Sequence, residues 1–131
     1  LEDLIVDKSQ IDHLNIVGHS YGGTLVAGLA DETTAVTMSI HTVAAPMIPY
    51  ERLINRCANF NGYENMTIVN DLFQWRTVKE EDGAFKNMAV DPQIANIPNS
   101  TVIELPPQFK GGRRLGHNWS ISWVIDNMFE K

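Results

Sequence analysis

The chain has 131 residues, of which 44% are hydrophobic and 20% are charged, a composition typical of one compact globular domain with its own core. Its 16 acidic and 10 basic side chains give a formal net charge of −6, which argues against a nucleic-acid partner. No apolar run approaches the roughly 20 residues of a membrane-spanning helix, so no transmembrane segment is predicted.

The first part of the chain alternates between helical and extended patterns. Leu1–Ser9 has apolar residues at helical spacing and resembles the end of a longer helix. Leu14–Val17 is a short apolar run that predicts a buried strand. Thr24–Ala30 is apolar with small residues and predicts a helix that packs closely on a sheet. Thr34–Pro46 is rich in β-branched residues and predicts a second strand, which ends at the proline.

The same alternation continues to the end of the chain. Tyr50–Phe60 predicts a helix, and it contains the only cysteine, Cys57, which we expect to be buried and inert. Met66–Asp71 predicts a third strand, Glu80–Asn87 is rich in turn residues, and Ser100–Pro107 predicts a fourth strand. The last segment predicts an amphipathic helix because its apolar residues recur at helical spacing: Ile121, Val124, Ile125 and Met128.

Alternation of strands and helices predicts an α/β fold, in which a parallel sheet carries helices on its faces. We find no internal repeat, no low-complexity tract and no linker that would divide the chain. Residues 1–131 are therefore expected to form a single domain.

The segment Gly18–Gly22, GHSYG, matches the pattern G-x-S-x-G and lies between a predicted strand and a predicted helix. A serine nucleophile must project from a tight strand-to-helix turn, in which the residues two before and two after the serine crowd each other. Gly18 and Gly22 meet that requirement, and Gly23 gives the helix room to approach the strand. Ser20 is therefore the predicted nucleophile, and the N–H of Tyr21 is the predicted oxyanion donor.

A serine hydroxyl needs a general base, and the chain has four histidines. His13 precedes the first strand, at the end of the sheet opposite to Ser20. His19 lies next to Ser20, so its side chain cannot fold back onto it, and His41 lies within a strand. His117 follows the fourth strand and a glycine-rich loop, from which it can reach over the carboxyl edge of the sheet, so it is the predicted base.

The base needs an acid to orient it, and that acid is expected at the carboxyl end of a strand between the serine and the histidine. Asp71 ends the predicted third strand and is the predicted acid. Asp82 lies beside a glycine and Asp91 precedes a proline, so both are interpreted as turn residues. Glu51 is the reserve candidate.

With Ser20, Asp71 and His117 in this order, the chain resembles the carboxyl-terminal half of an α/β-hydrolase. GHSYGGTLV, VAAP, IVNDLF and LGHNW are together similar to segments of lipases of the fungal, class-three type. The resemblance covers the chain from about Leu14 to Trp123, and the serine turn is its most specific part. It implies a serine hydrolase that cleaves carboxylic esters, with an ester or lipid substrate and no metal or organic cofactor.

The chain departs from that family before the serine turn. An α/β-hydrolase sheet has about four further strands there, and the loop that supplies the second oxyanion N–H lies among them. We therefore expect a partial domain whose sheet is completed by an upstream segment or a partner chain. Two alternatives stay open: a catalytically inactive hydrolase-like fold that serves as a binding or structural module, and an acyltransferase.

Overall fold

Four strands form one all-parallel sheet in the computed structural model, which describes residues 12–33, 36–49, 62–63 and 66–128. The strands are β1 (His13–His19), β2 (Thr37–Val43), β3 (Asp71–Arg76) and β4 (Thr101–Glu104), and they lie side by side in chain order. The predicted α/β fold, with a parallel sheet and flanking helices, is confirmed.

Within the described residues, two α-helices flank this sheet. Helix α1 (Tyr21–Val26) follows β1 directly and continues as a 3₁₀ helix (Ala27–Asp31), and helix α2 (Ser120–Asn127) lies near the end of the chain. A second 3₁₀ turn (Lys79–Glu81) follows β3. The predicted helices Leu1–Ser9 and Tyr50–Phe60, the latter with Cys57, lie outside the described residues.

The two helices cover opposite faces of the sheet, because successive side chains of a strand point to opposite sides. Met38, Ile40 and Leu72 pack with the residues of α1 and its 3₁₀ extension on one face. Val43 and Trp75 pack on the other face with Val124 and Met128 of the α2 region. The cores on the two faces hold the sheet in place. The carboxyl ends of β1, β2 and β3 lie together at one end of the sheet, and the connecting loops project from that end.

The third strand begins where the sequence predicts its end. The apolar run Met66–Asp71 was expected to be the strand, but β3 starts at Asp71 and runs to Arg76. The amides of Val69 and Asn70 donate instead to the carbonyl of Ala30, at 2.8 and 3.0 Å, so this run ties the chain to the end of the 3₁₀ helix. The prediction was wrong because the true strand alternates large apolar residues with Gln74 and Arg76.

Strand β1 lies at one edge of the described sheet, and its one neighbour there is β2. Its side chains are mostly half-buried or exposed, whereas those of β2 are buried after the first residue. Within the described part of the chain, no helix is both long enough and apolar enough to cross a membrane.

Candidate active site

Ser20 lies in the sharp turn between β1 and α1, with backbone angles φ 57° and ψ −125°. A non-glycine residue with such angles costs on the order of 1–3 kcal/mol, so the surrounding contacts must hold it there. The Ser20 amide donates to the carbonyl of Val43 on β2 at 2.9 Å, and the Ser20 carbonyl accepts from the amide of Gly23 at 3.0 Å. The turn is thus fastened to the sheet on one side and to the helix on the other.

Two of the three glycines around Ser20 are required by the packing of the turn. A Cβ on Gly18 would overlap the carbonyl oxygen of Gly22 and approach Val26 Cγ2 to 2.6 Å. A Cβ on Gly23 would lie 2.6 Å from the Cβ of Ala45. A Cβ on Gly22 would meet nothing within 4 Å, so the expected crowding concerns the backbone of Gly22 and not a missing side chain.

His117 contacts Ser20 from the loop between β4 and α2. Its Nε2 lies 2.9 Å from the Ser20 Oγ. The carbonyl of His117 accepts from the Ser120 hydroxyl and from the Nε2–H of His19, each at 2.7 Å. The ring of Phe85 stands edge-on to the imidazole, with the ring centroids 5.1 Å apart. Backbone and ring are therefore both held, and the side chain remains 14% exposed.

Asp82 is the carboxylate that lies against His117. Its Oδ2 is 3.0 Å from the His117 Nδ1, and the side chain is fully buried. The same Oδ2 accepts from the Thr77 hydroxyl at 2.6 Å, while Oδ1 accepts from the amides of Ala84 and Phe85 at 2.9 and 3.2 Å. An ionised carboxylate only accepts hydrogen bonds, and this set of donors suits it.

Thr77 is held in turn by Gln93. The Gln93 Oε1 accepts from the Thr77 amide at 2.9 Å, and the Gln93 Nε2–H donates to the Thr77 carbonyl at 3.1 Å. Both side chains are buried. Asp82 thus sits in a buried polar network that holds Oδ2, the oxygen that contacts His117.

The structure does not bring Asp71, the predicted acid, to His117. Asp71 is exposed at the amino end of β3, where it pairs with Ser39. The turn at Ser20 lies level with Val43, four residues further along β2, which corresponds to roughly 13 Å along the strands. Asp82 replaces Asp71 as the candidate acid, and the reserve candidate, Glu51, lies outside the described residues.

Asp82 was interpreted as a turn residue, and it does close a turn in addition to contacting His117. Its Oδ1 closes the turn by accepting the amide of Ala84 two residues on, while its Oδ2 faces His117. One signal could have found it. Placing the strand by the alternation of Phe73 and Trp75 with polar residues makes Asp82, and not Asp71, the aspartate that follows its carboxyl end.

The other three histidines lie away from the Oγ of Ser20 or have other partners. The His13 ring bonds to the hydroxyls of Thr37 and Ser39, each at 2.7 Å, at the amino end of the sheet. The buried His41 accepts from the Trp75 Nε1–H at 3.0 Å. His19 donates to the His117 carbonyl, and burial is the main cause that lowers its pKa.

Tyr21, the predicted oxyanion donor, is the first residue of α1 and directly follows Ser20. Its role stays a prediction. Among the described residues, no group of three or more His, Cys, Asp or Glu side chains could hold a metal ion.

In comparisons with known proteins, no family model, no curated protein and no solved structure matches this chain.

Proposed function

We propose that this protein is a serine hydrolase that cleaves carboxylic esters through an acyl-enzyme. The observation that carries the proposal is the hydrogen-bonded chain from Ser20 through His117 to the buried Asp82. Serine, imidazole and carboxylate in this order are the parts that nucleophilic catalysis by a hydroxyl requires. The strained backbone at Ser20 adds to the argument, because such strain is concentrated at functional sites.

The hydrogen bonds support a role for each group. His117 donates its Nδ1–H to Asp82, so its Nε2 carries the lone pair that faces the Ser20 hydroxyl. Ser20 Oγ attacks the ester carbonyl carbon while Nε2 takes its proton. The tetrahedral intermediate then expels the alcohol, which receives that proton from Nε2. Asp82 holds the imidazole in this tautomer and offsets the charge that it carries between the two transfers.

A water molecule completes the reaction. Nε2 takes a proton from the water while the water oxygen attacks the acyl carbon. The bond between that carbon and the Ser20 Oγ then breaks, and Oγ receives the proton from Nε2. The Tyr21 N–H is the proposed donor to the oxyanion in both halves of the reaction. We propose an ester as the substrate, either of a lipid or of another acyl compound, because the sequence motifs resemble those of lipases. No cofactor takes part.

Hydrolysis of p-nitrophenyl butyrate tests this function. We expect turnover by the unaltered chain and its near-complete loss in Ser20→Ala, with Ser122→Ala as the control because Ser122 is an exposed serine on α2. Equal activity in Ser20→Ala would contradict the proposal. Transfer of the butyryl group to an added alcohol in preference to water would identify an acyltransferase instead. Absence of turnover in a folded chain whose Ser20 also takes no label from a fluorophosphonate would favour the binding module.

We also propose a further strand beside β1, which lies at the edge of the sheet that the described residues form, and this strand is supplied by an upstream segment or a partner chain. An edge strand presents a row of backbone groups that can pair with another strand. Hydrogen exchange checks whether the edge is open. We expect alternate amides of β1 to exchange fast in the dilute chain, and equal protection of all of them would contradict an open edge.

A further inference from the structure

Arg76, the last residue of β3, is a half-buried cation that forms no ion pair with any described carboxylate. Its Nη2 donates to the Gln74 Oε1 at 3.3 Å and to the carbonyl of Ala95 at 3.1 Å. Its Nε is buried and has no hydrogen-bond partner. Among the described residues, no other buried side-chain nitrogen or oxygen lacks a partner. The charge of this guanidinium is therefore incompletely compensated.

The surroundings of Arg76 make this arrangement costly. A buried donor is normally bonded, so the unpartnered Nε of this half-buried residue calls for an explanation. Burial is the main cause that lowers the pKa of Arg76, and the carboxylates of Glu104 and Asp91 offset it only in part. Glu104 pairs with Arg76 in the register of β3 and β4, but its side chain is exposed.

Arg76 is one of the residues that line a cavity of about 220 Å³. Its lining combines three polar residues, Arg76, Asn96 and Ser100, with apolar residues of which Ile94, Ile97 and Val102 are the largest. Ile94 and Val102 are 57% and 42% exposed, so the lining keeps apolar surface open to solvent. The volume is below the roughly 300–1,000 Å³ of pockets for drug-sized ligands, so it suits a smaller molecule.

We infer that this cavity binds a small organic carboxylate, whose charged end contacts the guanidinium of Arg76 and whose aliphatic end covers Ile94, Ile97 and Val102. A guanidinium and a carboxylate match in shape and charge and form two parallel hydrogen bonds. A single negative charge fits better than a phosphate, because Glu104 and Asp91 are close and the chain carries a net charge of −6.

This site is separate from the one at Ser20, and the inference does not rest on the proposed function. The side chains of Gln74 and Arg76 point to the face of the sheet that carries α1, because they alternate with Phe73 and Trp75. Trp75 packs with the α2 region on the other face. Ser20, Asp82 and His117 are not among the residues that line the cavity, so butyrate binding and ester hydrolysis are separate readouts.

Calorimetric titration of the 131-residue chain with butyrate, butyramide and inorganic phosphate tests the inference. We expect butyrate to bind, and butyramide and phosphate to bind at least about tenfold more weakly, because a hydrogen bond to a charged group is worth about one factor of ten or more. Equal binding of phosphate would overturn the assignment to a carboxylate. Absence of butyrate binding would overturn the site itself.

Two variants locate the binding in the cavity. Arg76→Gln should weaken butyrate binding at least about tenfold, whereas Arg114→Gln, the same change at an exposed arginine, should not alter it. Val102→Glu places a carboxylate at the exposed rim on the edge strand β4 and should also weaken binding, and it keeps the test valid if Arg76→Gln fails to fold. Unchanged butyrate affinity in the folded variants would contradict the inference.

Discussion

Replacing Asp82 by asparagine tests the assignment of the acid with almost no change in shape. The side-chain oxygen of the asparagine can keep the place of Oδ1 on the amides of Ala84 and Phe85, which hold the turn in place. The side-chain nitrogen then occupies the position of Oδ2, between the Thr77 hydroxyl and the Nδ1 of His117. That nitrogen only donates, so His117 must accept at Nδ1 and carry its proton on Nε2.

The consequence for catalysis is large and the consequence for folding is small. A proton on Nε2 points at the Ser20 Oγ, so the imidazole cannot take the serine proton. The corresponding change in serine proteases lowers kcat by a factor of about 10⁴, which corresponds to roughly 5.4 kcal/mol of activation free energy. The Thr77 hydroxyl can turn to accept from the new amide and to donate to Gln93, 3.3 Å away, so we expect a loss of only about 1 kcal/mol in stability.

The assay compares initial rates of p-nitrophenyl butyrate hydrolysis in Asp82→Asn and in Asp71→Asn. Asp71 supplies the matched control because the chemical change is identical and the side chain is exposed at the other end of β3. We expect a fall of about 10³–10⁴ in kcat for Asp82→Asn and little change for Asp71→Asn, with thermal melts showing that both variants fold. Near-full activity in Asp82→Asn, or loss of activity in Asp71→Asn, would refute the reasoning.

Three further predictions concern the residues that hold the site in place. Thr77→Val removes a donor to Asp82 and should lower the free energy of unfolding by about 1–3 kcal/mol in urea titrations, while an unchanged midpoint would contradict the role of Thr77. Gly18→Ala should cost about 1–3 kcal/mol by overpacking, whereas Gly22→Ala, with open space around its Cβ, should be tolerated, and equal losses would count against the packing argument. The pKa of His19 is lowered from 6.5 in the folded chain, so the unfolded chain binds more protons and stability should fall as the pH drops below about 6.5. His19→Gln should flatten that part of the stability curve, and a curve of unchanged slope would show that another group controls it.

Much of the architecture could be predicted from the sequence because local patterns specify it. Leu14–Val17 lies within β1, and the spacing of Ile121, Val124, Ile125 and Met128 matches the region of α2. The glycines around Ser20 predicted the turn from steric reasoning, and the backbone has the expected strained angles. The position of His117 on a loop beyond the fourth strand sufficed to place it near the serine.

The contact between Asp82 and His117 could not be predicted, for two physical reasons. Strand β3 mixes polar and apolar residues, and an apolar run directly before it resembles a strand more closely, so the carboxyl end of β3 was misplaced by five residues. Asp82 then satisfied a simple local rule, since its Oδ1 closes a turn beside Gly83. Its second role depends on Oδ2 and His117, which lie 35 residues apart in sequence, and no local pattern records that contact.

Ser20 is proposed to be an activated nucleophile, and covalent capture by a fluorophosphonate measures this directly. We expect one equivalent of label per chain, found by mass spectrometry on the peptide that contains Ser20. Ser122→Ala should label at the unaltered rate, Ser20→Ala should not label, and His117→Gln should label at least about 10³-fold more slowly, because the hydroxyl then lacks its base. Labelling at another residue, or a folded chain that does not react while a known serine esterase does, would contradict the account.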